Sequence, residues 1–235
     1  MRLPVFLFAL LASPAFAQQV QRIPYDALEP LAPTLVDFDR LPPKPYPGYN
    51  FDHGIAFPGG RLGEAFAGQR PEPLRIDDGG PHDALRGAPS APLRLRPGLP
   101  GQVVSLSLHR AFGSMALYPL GPLGQPHPQA RGEGAVAVLF HEDACAVGLK
   151  IHTDYVTALG PAPGHASEQS GAVDITLYAR DGRVIATLPQ RLPAGISPVA
   201  LFDPAARIAG MTVENRDPGG ISLDDLRFGC PRLTG

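Results

Sequence analysis

The stretch "GGISLDDLRFGC", residues 219–230, decides the fold class. Its apolar residues alternate as in a strand, but in two phases. Ile221 and Leu223 share one face, while Leu226 and Phe228 share the other, because side chains along a strand repeat with a period of two. The phase breaks at Asp224-Asp225 with no turn between. A β-bulge does this: it inserts one residue and re-aims a side chain. The segment therefore reads as a bulged strand that carries two adjacent carboxylates near a sheet edge.

Moving outward, the neighbouring segments are also strands. "QVVSLSLHR" (102–110) alternates Val104, Leu106 and Leu108 against Ser105, Ser107 and His109. "AVAVLFHE" (135–142) is nearly continuous in apolar residues, as a central strand is. "CAVGLKIHTDY" places Val147, Leu149 and Ile151 on one face and Lys150, His152 and Asp154 on the other. In "AVDITLYARDGRVIATL" two β-rich runs flank Asp181-Gly182, which predicts a hairpin over 172–188 with a two-residue type I′ turn. "RIAGMTVENRD" (207–217) completes the set. No window sustains an i, i+3, i+4, i+7 apolar pattern over three turns. The 27 glycines and 29 prolines are unevenly spread, and 70–101 and 118–134, which hold many of them, read as long loops. The expectation is an all-β protein: one antiparallel, jelly-roll-like β-sandwich over 34–230 with long Gly/Pro-rich loops.

The ends set the compartment. "MRLPVFLFALLASPAFA" has one basic residue, an apolar run and the small-x-small ending Ala15-Phe16-Ala17, so residues 1–17 read as a secretory signal peptide. The apolar run is too short to span a bilayer. Residues 18–33 read as an N-terminal extension wrapping the surface, and 231–235 as a tail without an apolar anchor. The chain is expected to be exported, to the periplasm or the medium. The two cysteines, Cys145 and Cys230, predict a disulfide in that oxidising setting. A net charge of −2 argues against nucleic acid as a partner and against basic attraction to anionic lipid.

From about residue 134 the order of segments resembles a group of exported bacterial β-sandwich modules, many found in proteins sorted by a C-terminal PEP-type signal. These end in a pattern like G-I-D-D-L-x-F-G, matched here by "GISLDDLRFG". "LVDFDRLP" and "YNFDHGIAFPGG" look like the same group's opening strand and its Tyr-x-x-x-x-G-x-x-F stretch. The resemblance spans most of 35–229 and implies a carbohydrate-binding-module-like jelly roll; the chain departs from it in lacking the sorting tail.

Three sets of side chains compete for a function. Asp37 and Asp39 at one end of the domain and Asp224 and Asp225 at the other would meet if the first and last strands are neighbours. Hard oxygen ligands of this kind suit a structural Ca²⁺; acceptance of backbone N–H groups or pairing with Arg40 or Arg227 is the other reading. Tyr46, Tyr49, Tyr118 and Tyr155 lie in or beside loops and are candidate platforms for a sugar, although Trp is absent. Glu64, Glu133 and Glu142 could supply the carboxylate pair of a glycosidase. The histidines show no metal-ligand spacing, and His109 and His152 are expected to be solvated. Ser114 follows a glycine but lacks the G-x-S-x-G elbow. The expectation is a non-catalytic binding or structural module of the cell exterior, directed at a glycan or a cell-surface component. A secreted glycan-directed hydrolase using loop carboxylates is the alternative.

Overall fold

The computed structural model describes residues 19–77, 80–127, 130–153, 170–216 and 219–231. It is built almost entirely of strands in antiparallel pairing. Short strands come first: β1 (Gln21–Arg22), β2 (Thr34–Val36), β3 (Tyr49–Phe51), β4 (Ile55–Phe57) and β5 (Gly60–Gly63). β6 (Arg70–Asp77) and β7 (Gly80–Arg86) follow. The longer strands are β8 (Val104–His109), β9 (Ser114–Pro119), β10 (Ala135–Ala144), β11 (Ala146–Thr153), β12 (Ser170–Tyr178), β13 (Val184–Pro193), β14 (Gly195–Phe202), β15 (Ile208–Asn215) and β16 (Ser222–Gly229).

Two sheets carry the structure. The first runs β1-β14-β11-β16-β9-β8-β3, with β2 also paired to β16. The second runs β13-β12-β15-β10-β5-β4. From β9 onward the chain crosses repeatedly between sheets, so that β9-β16-β11-β14 in one sheet face β10-β15-β12-β13 in the other. Their inner faces share one core: Leu106, Leu117, Leu149, Ile151 and Leu223 from the first sheet meet Leu62, Val138, Phe140, Ile175 and Met211 from the second. The core contains a cavity of about 10 Å³, lined by Phe38, Leu62, Leu149 and Leu226 among others. That is room for about one water molecule and not for a ligand.

The phase break in β16 is a bulge. Gly148 pairs with Arg227 and Lys150 with Asp224, so Leu149 alone faces two residues, Asp225 and Leu226. Asp225 takes the left-handed conformation at φ 51°. The inserted residue turns Leu226 and Phe228 back inward, and Ile221, Leu223, Leu226 and Phe228 are all buried in the same core. A strand of strict period two would have exposed half of them.

Three local expectations are corrected. The first is the turn at Asp181-Gly182. Gly182 N donates to Ala179 O and Ala179 N to Arg183 O, which leaves a three-residue loop rather than a two-residue one. Only Gly182 has positive φ, at 81°, whereas a type I′ turn needs it at both central residues. Second, residues 70–86 are not loop. They form the β6–β7 hairpin, and its prolines are accommodated because the pair stands alone as a two-stranded sheet. Third, the opening strand stops at Val36, so Asp37 and Asp39 stand on a turn rather than on one strand face. Asp39 N donates to Asp37 Oδ1 there, and the turn drives Phe38 into the core at φ 59°.

The N-terminal segment lies against the outside of the first sheet. β1 pairs with β14, and Leu28 and Ala32 pack on Ala146 and Ala200. Gly148 permits this approach, since a Cβ there would sit 2.3 Å from Leu28 Cδ1. Cys145 lies where the chain passes from β10 to β11, and it is joined to Cys230 just beyond β16, with a Cα–Cα distance of 5.0 Å. The bridge ties the corner between the two sheets to the end of the domain.

Candidate functional site

The sequence-derived candidates fall into three places. At the first, the two ends of the domain do meet: Leu226 pairs with Val36 and Phe228 with Thr34. Asp224 is 4% exposed. Its Oδ2 accepts from Ser114 Oγ at 2.6 Å and its Oδ1 from the Asp225 backbone N–H at 2.8 Å. Met115 N, one residue after Ser114, donates to Asp39 Oδ1 at 2.8 Å. The start of β9 therefore links Asp39 to Asp224. Asp225 Oδ2 lies 2.6 Å from Lys150 Nζ, and the Asp225 carbonyl accepts from Tyr25 OH at 2.5 Å. Burial pushes the Asp224 carboxyl up to about 6; the charges of Asp225 and Asp39 add to this, while the Ser114 and Asp225 donors oppose it. The partner of Asp225 is Lys150, not Arg40 or Arg227. Among the described residues no three of His, Cys, Asp and Glu converge on a metal-sized position.

The second place is the outer face of the first sheet where β8, β9, β16 and β11 run together. Tyr118 is fully buried there. The Arg131 guanidinium lies 4.1 Å from the Tyr118 ring centroid and donates to its hydroxyl. The same guanidinium lies 4.9 Å from the centroid of Tyr46. Tyr46, Arg131 and Tyr118 thus form a stack whose outer member, Tyr46, stays 40% exposed. His109 and His152 join the face with ring centroids 4.4 Å apart, and Phe112 packs 4.9 Å from His109.

His109 is not solvated, contrary to the expectation from its strand phase. It is buried, and its Nδ1 accepts from the backbone N–H groups of Ala111 and Phe112. Burial, with His152 and Arg131 beside it, lowers its pKa to about 4, so the ring is neutral at pH 7. Tyr49 is not part of this face: it packs toward the core beside Leu106, with Lys44 Nζ 4.9 Å from its ring centroid, and its hydroxyl donates to Pro42 O at 3.3 Å. Tyr155 lies outside the described residues.

The third place holds acids. Glu64 and Glu133 come to the same end of the sandwich, around Gly121 and Gly134, whereas Glu142 is exposed on β10. Glu64 is buried, and Asp83, which sequence reasoning did not single out, is buried beside it.

Arg131 was also missed. Its signal was present: it is the only Lys or Arg in 118–134. A cation isolated in a Gly/Pro-rich loop, near tyrosines, is a candidate for stacking on them.

Compared with known proteins, the chain matches no family model, no curated protein and no solved structure.

Proposed function

We propose that the chain is an exported jelly-roll module that binds a glycan, without catalysis, on the outer face of its first sheet. One observation carries the reading: Tyr46 packs on Arg131, which itself rests on buried Tyr118, and it keeps much of its surface exposed. A preorganised aromatic ring is what a sugar's apolar face stacks on, and the cost of ordering that ring is met before the ligand arrives. Tyr118 supports the stack from beneath, while Tyr49 packs toward the core between the sheets. The strand order β9-β16-β11-β14 over β10-β15-β12-β13 fits two interlocked Greek keys, the pattern of a jelly roll. It agrees with the resemblance to exported β-sandwich modules.

In this reading the aspartate junction is structural and needs no Ca²⁺, because each of its four carboxylates accepts a hydrogen bond or ion pair from the protein. The hydrolase alternative is disfavoured because Glu64 is buried rather than facing a cleft. Ser114 is engaged with Asp224 rather than presented as a nucleophile. No helix among the described residues is long and apolar enough to cross a membrane. A glycan array probed with the oxidised protein tests the proposal. Retention on one glycan class, lost in Tyr46→Ala, is the expected result; no binding to any glycan, or binding unaffected by Tyr46→Ala, overturns it.

A further inference from the structure

Residues 64–77 and 80–97 run along the outer face of the second sheet. Phe66 and Leu93 pack with Ala137, Tyr178 and Ala209 in a cluster separate from the main core. The hairpin within this segment is held to β15 by Glu214, whose Oε1 accepts from Leu85 N at 2.8 Å. At its margin two more acids are buried: Glu64 is 8% exposed and Asp83, on β7, is 6% exposed. The chain closes tightly around them. A Cβ at Gly121 would lie 2.4 Å from Asp83 Oδ2, and one at Gly134 would lie 3.9 Å from Glu64 Oε1. Glu64 Oε1 is shielded from solvent and accepts no hydrogen bond from the described residues. A charged carboxylate does not rest unsolvated with an orphaned oxygen when a neutral acid can take its place. The charged groups that face Glu64 are Asp83, which disfavours its ionisation, and Arg96, which favours it. Glu133, next along the same rim, is engaged with Asn215 Nδ2 at 3.1 Å.

We propose that Glu64, buried where the segment leaves β5, is a neutral carboxylic acid, and that its ionisation beside buried Asp83 of β7 loosens the 64–97 segment from the second sheet, a proton-dependent latch. Burial pushes Glu64 up to about 7, well above its ordinary value of 4.5. A carboxyl whose folded value is raised stabilises the closed form when protonated. The contribution is complete below about pH 4.5 and is lost as pH rises through about 7. Glu214 acts in the same direction: burial raises its pKa, opposed by the Leu85 N–H, His82 and Arg216, with Asp174 adding to the rise. The segment therefore grips most firmly in acid and loosens toward neutral and alkaline pH.

The test is hydrogen exchange read by mass spectrometry on the full chain, corrected for the intrinsic pH dependence of exchange. For the wild type, the opening constant of 64–97 should rise on the order of 30-fold between about pH 5.5 and about pH 8.5, while β11 and β16 change far less. Glu64→Gln, neutral at every pH, should abolish most of that rise. Asp83→Asn removes a charge that adds to the effect of burial on Glu64 and should move the midpoint to lower pH; it serves as the readout if Glu64→Gln does not fold. A flat wild-type profile overturns the latch, as does an unchanged rise in Glu64→Gln or an unmoved midpoint in Asp83→Asn. Added Ca²⁺ that restores protection at about pH 8.5 in the wild type, and not in Glu64→Gln, would make the pair a cation site and equally overturn it.

Discussion

Lys150 Nζ lies 2.6 Å from Asp225 Oδ2, across the bulge that joins β11 to β16. Asp225 thus does two things at once: it occupies the left-handed backbone position of the bulge and it pairs with a cation on the neighbouring strand. Substitutions separate the two. Asp225→Gly keeps the backbone comfortable and loses only a partly exposed ion pair, so it should cost less than about 1 kcal/mol. Asp225→Val forces a β-branched residue into positive φ and should cost about 1–3 kcal/mol. Urea melts check the ranking. The same melts with Ca²⁺ or with chelator should coincide; a Ca²⁺-dependent shift would show that the aspartate junction holds the ion.

Ser114 tunes Asp224. Its hydroxyl stabilises the ionised carboxyl, against burial that has pushed the group up to about 6. Ser114→Ala should therefore move Asp224 higher still, read from its carboxyl carbon shift in an NMR titration. The linkage has a definite sign. The folded value is raised, so the stability Asp224 contributes is complete below about pH 4 and is lost as pH rises through about 6. In Ser114→Ala that window extends upward. A downward move would mean that the hydroxyl does not donate to the carboxylate.

The Cys145–Cys230 bridge encloses a segment of 85 residues running from the β10–β11 corner to the end of β16. Loop-closure entropy for a segment of that length predicts a loss of about 4 kcal/mol on reduction or in the double Ser variant. Denaturant melts with and without reductant measure it. Two free thiols by mass spectrometry of the exported protein would remove the basis for the prediction.

Gly148 is the contact point of the N-terminal segment. A Cβ there would lie 2.3 Å from Leu28 Cδ1 and 2.6 Å from the Val199 carbonyl. Gly148→Ala should cost about 1–3 kcal/mol by overpacking. It should also free residues 23–33 from the sheet, seen as faster limited proteolysis in that segment than in β11. Equal cleavage rates in wild type and variant would mean that Leu28 is not held there.

The bulge was legible because it acts within a single strand. Leu223 and Leu226 cannot both face one core at period two unless one residue is inserted between them. The pairing of Cys145 with Cys230 followed from there being only two cysteines. The β6–β7 hairpin was hidden by Pro71 and Gly80, which locally signal loop; its packing on β15 depends on Glu214, more than a hundred positions away. Arg131 stood out as a lone cation in 118–134, but its partner did not. Nothing in "QARGEG" shows that Tyr46, far earlier in the chain, returns to lie on its guanidinium. The turn at Gly182 was misjudged by one residue, because Asp-Gly suits a left-handed pair and a single left-handed glycine alike, and only the cross-strand register distinguishes them.

The most direct test of the account is calorimetric titration of the best array glycan into the wild type, Tyr46→Ala and Tyr49→Ala. The account predicts that Tyr46→Ala weakens affinity by roughly ten-fold or more, the loss of about 1.4 kcal/mol of stacking, with folding unchanged and Tyr49→Ala affected less. Equal affinity in the wild type and Tyr46→Ala would contradict it.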